Sequence, residues 1–546
     1  MARVMKRVQN TLFPLVNIGL AFVMLLIGGT LGLVQGLNRA GVLTIVGGLN
    51  YYEILTLHGI LLILAFTTLF MNGYLYAAVD YVLGGLSRTV RILAWSSLAS
   101  FLAGAVLVVY TVLSGEATVM YTFYAPLAAH PLFYIGLVFV VLCIWLAAIG
   151  VFISAFQWKR RNKGRHLPLF AFFAVGVYTL ITFGSLGVTW EVLMLIPWSL
   201  GWTETINVLL TRTLFWSFGH TLVNVWYLVA VSAWYLVLPK VIGGKIFSDS
   251  LARLVVILIV VLNVPGGFHH QIVDPGFSEG LKFMHMFMSL SIAFPSLMTA
   301  FAIFATLERT GRRRGGKGLL GWLWKLPWKD VRFITIMLAM IAFIFGGAGG
   351  IAQTNNQLNQ VVHNSMWVVG HFHVTVGVTV VLTFFGLVYW LVPHLSGRRL
   401  TPRIHNLGIW QTMFWTVGML FMTISMSAVG LIGSPRRTEY TTYGEHAHAL
   451  GWDPYLLFVG AGGTLLFIGV LLMCYIVFHL MFLSPKGETE FMVADVEEPA
   501  HKTPKWTENW GLWVIIAILI ISMGYVVPIV DIIQNAPPGS PPIKTW

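Results

Sequence analysis

The chain is 546 residues long, 57% hydrophobic and only 10% charged, with a mean hydropathy of +0.81; soluble globular proteins of this length do not have that composition. Its net charge of +13 is spread over short basic runs between long apolar stretches. That distribution excludes a nucleic-acid-binding surface and leaves an integral membrane protein.

Thirteen apolar runs are long enough to cross a hydrocarbon core about 30 Å thick. They lie near 12–36, 52–83, 90–114, 131–157, 168–199, 208–238, 252–270, 283–307, 331–351, 367–393, 407–432, 455–483 and 511–533. They predict an all-α fold: a polytopic membrane helix bundle in one integral-membrane unit over 1–546, with core spans over about 12–483 and a further span over about 511–533. The first run is too long, and lacks the small-residue cleavage site, to be a removable signal peptide. Basic runs mark alternate connections: RVMKR at the N-terminus, WKRRNKGRH (158–166), RTGRRRGGK (309–317) and GRRLTPR (397–403). The opposite connections hold only Arg39, Arg212, Lys282, Arg436, Arg437 and Lys544. This bias places the N-terminus in the cytoplasm and the C-terminus outside. The polar stretch 484–506 reads as a linker before the last span. Cys143 and Cys474 are isolated inside predicted spans and offer neither a disulfide framework nor a metal motif.

Ionisable groups inside a bilayer are costly and usually functional. In chain order, LTLHGILL (55–62) puts His58 in the second span. FWSFGHTLVNVWYLV then carries His220 and, four residues on, Asn224; that spacing puts both on one helix face, about 6 Å apart along the axis. NVPGGFHHQ (263–271) brings His269 and His270. Adjacent residues on a helix are about 100° apart, so convergence on one ion needs a local bend, which Pro265, Gly266 and Gly267 can supply. With His220 they form a set of three imidazoles, suited to copper, iron or zinc. Finally, VVGHFHVTV (368–376) holds His371 and His373, about 200° apart on a regular helix and so directed to different partners. One of them opposite His58 would make a bis-imidazole haem site. A lone intramembrane histidine is as well explained by a structural hydrogen bond. Six that divide into two, one and three match a six-coordinate haem, a five-coordinate haem and a non-haem metal.

These residues resemble subunit I of the haem–copper oxygen and nitric oxide reductase superfamily. The likeness extends over essentially the whole chain through TRTLFW, LPK-x2-GGK, GFHHQ-x-VDPG, PSLMTAF, GGAGGI, VVHN-x2-W-x2-GHFH and SPRR, and is strongest to the B-type (ba3-like) branch. The resemblance implies a haem–copper oxidase subunit I fold in the cytoplasmic (inner) membrane of a prokaryote. It implies that His58 and His373 hold a low-spin haem b and that His371 holds a high-spin haem of b or a type. His220, His269 and His270 would hold one non-haem metal, copper or iron, while Arg436 and Arg437 meet the haem propionates. Tyr235, Ser296 and Thr299 fall at hydroxyl positions of a cytoplasmic proton route; hydroxyls inside spans also bond to their own helix. No electron-entry copper motif or cytochrome domain is present. The implied partners are therefore a membrane-anchored cupredoxin subunit II with dinuclear copper, reduced by cytochrome c or quinol.

At Asn224 the sequence departs from its relatives. Oxygen reductases of this type carry a tyrosine there, and cytochrome c-type nitric oxide reductases a glutamate. The alternative source of a tyrosine, the segment 251–270, contains none, and Tyr227 lies about 10 Å beyond His220 along the helix axis. Splitting O2 asks for four electrons at once: two from the haem, one from copper and the fourth from the tyrosine. Coupling two NO molecules to N2O and water needs only two electrons and two protons. Asparagine donates neither, but its amide can hydrogen-bond a nitrogen-oxide oxygen. The expected activity is accordingly nitric oxide reduction, with O2 reduction by a ba3-like oxidase, aided by Trp216 or Trp226, as the alternative. A transporter with a histidine-lined proton path is a third reading, which a haem spectrum would exclude. Glu191, in TWEVLMLIPW, is a candidate further metal ligand or proton carrier, and Asn359 stands where relatives can carry an aspartate near the propionates.

Overall fold

The computed structural model describes residues 8–45, 47–497, 503–535 and 538–546. The basic N-terminal run lies outside them. Among the described residues twelve helices are long and apolar enough to span a membrane. They are α1 (Leu12–Arg39), α2 (Tyr51–Leu83), α3 (Arg88–Leu113), α4 (Pro131–Arg161), α5 (Leu169–Ser199) and α6 (Val208–Val241), then α8 (Glu279–Arg313), α9 (Val331–Thr354), α10 (Met366–Ser396), α11 (Pro402–Leu431), α12 (Ala447–Leu483) and α13 (Trp510–Asn535). The thirteenth element, α7, is a broken helix: Asp249–Leu262 continues as a tighter 3-10 turn, Val264–His270, bent by 57°. The all-helical membrane bundle anticipated from hydropathy is therefore the fold, with its bend at the expected proline.

Pro265 supplies no backbone N–H and its ring obstructs the preceding turn. Gly267 then lets the bent segment lie against α6, since a Cβ there would stand 2.8 Å from the Trp216 carbonyl oxygen. Three other helices are locally widened: α2 at Ile60–Phe66, just after His58, α10 at His373–Val380, and α12 at its end, His479–Leu483. Such π-type turns concentrate at functional positions. In lipid, where tails are as apolar as leucine, helices associate by close packing. Gly418 of α11 illustrates this: a Cβ would lie 2.7 Å from the Gly462 carbonyl oxygen of α12.

The stretch 484–506 is more than a spacer. Two of its described acidic residues meet basic connections, Glu490 at 2.9 Å from Lys240 and Glu497 at 2.7 Å from Arg313. Just beyond it, Glu508 bonds Arg253 at 2.6 Å and Lys159 at 2.8 Å. Arg253 is buried and also holds Asp249 at 2.7 Å, so the foot of α7 and the start of α13 are joined by ionic contacts away from bulk water. Buried pairs of this kind lose far more on removal of one partner than exposed ones.

Candidate active site

One cavity of about 930 Å³ runs through the bundle and is lined by all six histidines singled out from the sequence; single-ligand pockets run from about 300 to 1,000 Å³. At one end, His58 on α2 donates its Nδ1–H to the Gly28 carbonyl at 2.8 Å. His373 on α10 does the same to Val369 at 2.8 Å. Each bond fixes the ring and its tautomer, leaving Nε2 as a free donor atom directed into the cavity. The two imidazoles are within electrostatic reach of one another. Gly32 makes the room: a Cβ there would stand 2.6 Å from His58 Cε1.

Further along, His220 from α6 and His269 and His270 from the bent end of α7 place one nitrogen each within 4.8 Å of the other two. Nitrogens bound to one tetrahedral ion at about 2.0–2.1 Å are about 3.4 Å apart, so ring movements of about an ångström close the set. Trp216 stacks on His270 at 3.9 Å with 8° between planes. His269 Nδ1 faces the Gly266 carbonyl at 2.7 Å and Ser289 Oγ at 3.1 Å, the kind of outer contact that orients a metal-binding imidazole. Gly266 is again a matter of space, since a Cβ would lie 2.9 Å from His220 Nε2. His371 is within electrostatic reach of His269 and His270. Its ring lies parallel to Trp367 at 5.8 Å, and it stands over Gly349, where a Cβ would be 2.6 Å from Nδ1.

Arg436 and Arg437 also line the cavity. Arg436 donates to Asn364 Oδ1 at 2.8 and 3.2 Å, and Arg437 to the hydroxyls of Tyr124 at 3.3 Å and Tyr121 at 3.5 Å. Among the described residues neither has a carboxylate within ion-pair distance. Burial, and then the adjacent Arg437 charge, push the Arg436 guanidinium down to about 10. Arg437 is held in the left-handed region at φ 63°, a conformation that costs a non-glycine residue of order 1–3 kcal/mol. Two adjacent cations with only neutral partners are a ready site for carboxylates.

The remaining positions separate. Asn224 lines the cavity but donates its Nδ2–H to the His220 carbonyl at 3.1 Å, so one amide proton is committed to its own helix. Ser296 and Thr299 line the cavity as well, while Tyr235 lies buried behind Thr299. Glu191 does not: it is fully buried on α5, neither carboxylate oxygen has a hydrogen-bond partner, and it is neither on the cavity wall nor grouped with the three imidazoles. Its candidacy as a metal ligand is thus not supported by the fold. Asn359 donates to the His269 and Gln353 carbonyls at 3.1 and 2.6 Å, tying the turn after α9 to the histidine pair.

Some contributors were not singled out from the sequence. Arg39, noted there only as an outer cation, lines the cavity and clamps the arginine turn through Thr438, Ser434 Oγ and the Pro435 carbonyl. Gly32, Gly266 and Gly349 act through what they lack, and Ser289 through one contact across sequence. Gly266 was noted in the sequence only as part of a bend, and Gly349 only within the GGAGGI run; nothing there pointed to Gly32 or Ser289.

The donor set and the space fit two haems and a metal: paired Nε2 atoms, one histidine beside three, and unneutralised guanidiniums. That arrangement defines a membrane-bound redox enzyme. Residues 15–465 match the family of cytochrome c and quinol oxidase polypeptide I. Cytochrome c oxidase subunit 1 of Thermus thermophilus is 36% identical over 95% of this chain and 93% of its own length. Quinol oxidase subunit 1 of Bacillus subtilis is 25% identical over 77% of this chain and 64% of its own. A heme–copper terminal oxidase dimer solved by cryo-electron microscopy superposes with a TM-score of 0.92 at 32% identity, covering 98% of this chain and 95% of that one. The chain belongs to the haem–copper oxidase subunit I family. It is a multi-pass membrane oxidoreductase of the class that holds a low-spin haem, a high-spin haem and copper or a related metal, and works with other subunits on O2 or a similar substrate.

Proposed function

We propose that this subunit reduces nitric oxide, 2 NO + 2 electrons + 2 protons to N2O + H2O, as the catalytic subunit of a respiratory complex. The observation that carries the reading is Asn224, a residue that supplies neither an electron nor a proton at the position four after His220. When bound, the low-spin haem passes electrons to the high-spin haem and the non-haem metal, copper or iron, which bind and reduce the gas. His58 and His373 would orient the first group, His371 the second, and His220, His269 and His270 the third. Arg436 and Arg437 would hold propionates. The Asn224 amide retains one N–H and its oxygen for a polar atom of the substrate. Protons would enter from the cytoplasmic side through Tyr235, Thr299 and Ser296. Electrons would come through a cupredoxin subunit II with dinuclear copper, from cytochrome c or quinol, in the inner membrane of a prokaryote.

A second reading, reduction of O2 to water, is favoured by the names of the relatives, cytochrome c oxidase and heme–copper terminal oxidase. It requires a fourth electron from another group, and Trp216, which stacks on His270, is the candidate. The purified complex with a reduced donor, offered NO without oxygen and O2 separately, decides between them. Rapid N2O formation with feeble O2 uptake supports the first reading; rapid O2 uptake with little N2O removes it.

A further inference from the structure

Tyr227 is the one tyrosine of α6 on the cavity wall. It lies three residues beyond Asn224 and seven beyond His220, about 4.5 and 10 Å along the axis. Its ring stacks on Phe343 of α9 at 4.5 Å with 13° between planes. The residue is buried and its hydroxyl has no hydrogen-bond partner. Buried phenols almost always find one, so this hydroxyl calls for an explanation other than packing.

Its surroundings supply one. The hydroxyls of Ser296 and Thr299 on α8 are the polar groups that act on the Tyr227 hydroxyl, without a hydrogen bond of full geometry to it. Their own protons go to the Ile292 carbonyl at 3.0 Å and the Pro295 carbonyl at 2.9 Å, which leaves lone pairs facing the phenol. Eight residues further along α6, the Tyr235 hydroxyl is also without a partner and faces Thr299. The polar series Tyr235, Thr299, Ser296 therefore leads to Tyr227, and beyond it α6 next presents Asn224, which cannot pass a proton on.

We infer that Tyr227 is the terminal proton donor of this route, delivering protons into the cavity from below Asn224. The inference rests on the proposed cytoplasmic proton uptake and holds for either gas. In the step, the Tyr227 O–H bond breaks and its proton forms a new O–H bond on a substrate oxygen, or on a water hydrogen-bonded to it. The phenolate then regains a proton as the Ser296 or Thr299 hydroxyl turns from its backbone carbonyl to donate, that proton being replaced in turn from the Tyr235 side. Tyrosine is neither oxidised nor reduced; it moves only a proton.

The test compares Y227F, Y235F and S296A in the complete complex reconstituted in lipid vesicles. Haem content, thermal midpoint, turnover and proton uptake are followed, the last with a pH-sensitive dye. Because the removed hydroxyl makes no hydrogen bond of full geometry, Y227F should keep both haems and a midpoint close to that of the parent. Its turnover and proton uptake should fall at least tenfold, with a larger solvent deuterium effect. Y227F within twofold of the parent, while Y235F and S296A are slow, would overturn the role of Tyr227 alone. All three at the parent rate would overturn the proton route with it. Loss of haem or a lowered midpoint in Y227F would make the phenol structural and equally defeat the inference.

Discussion

The two ends of the cavity are built by different means. At the His58–His373 end each imidazole is fixed by one bond from Nδ1 to a carbonyl at 2.8 Å, on spans that cross the membrane without a sharp break. At the three-histidine end, two of the ligands depend on the 57° bend after Leu262, and His269 is steadied by Ser289 from the next helix. The first end is a property of helix faces; the second exists only when a broken helix is pressed against α6. Metal geometry at the second should accordingly be more sensitive to substitutions outside the ligand set.

The largest effects test that the two ends are separate. H373A is expected to halve the haem-to-protein ratio and abolish turnover while the non-haem metal stays; H270A should lose that metal and keep the low-spin haem spectrum. Optical spectra with elemental analysis check both, and loss of all cofactors in either variant would mean one cooperative site. G32A should mimic H373A, since the added Cβ meets the His58 ring at 2.6 Å; overpacking of this kind costs about 1–3 kcal/mol, and the low-spin band should diminish or shift. N224A is next: N2O formation should fall by up to about a hundredfold if the amide stabilises the reacting oxygens, with cofactor content unchanged. S289A is the smallest and the sharpest test of the contrast. Removing an outer contact to a metal-binding histidine typically weakens affinity about 10–100-fold, so the metal should leave under mild chelation while both haems remain.

The positions of the spans were legible because hydropathy acts over whole helices and lipid allows few alternatives. The bend in α7 was legible for a local reason, the missing N–H of Pro265. Glu191 shows the opposite: one carboxylate in an apolar run is compatible with several azimuths, and only packing sends it away from the cavity. Glu490 and Glu497 look like linker residues until the basic connections are placed opposite them.

By itself the sequence determined an all-helical membrane bundle, its thirteen elements and the six histidines, because burial of polar backbone in lipid and the cost of intramembrane imidazoles are read residue by residue. The tertiary structure decided the assignments that depend on neighbours distant in sequence. It set His373 within electrostatic reach of His58 and His371 within reach of His269, brought Arg39 to the Arg436–Arg437 turn, and opened space over Gly32, Gly266 and Gly349. Helix periodicity sets only relative angles along one helix. Which partner each angle meets is set when helices pack.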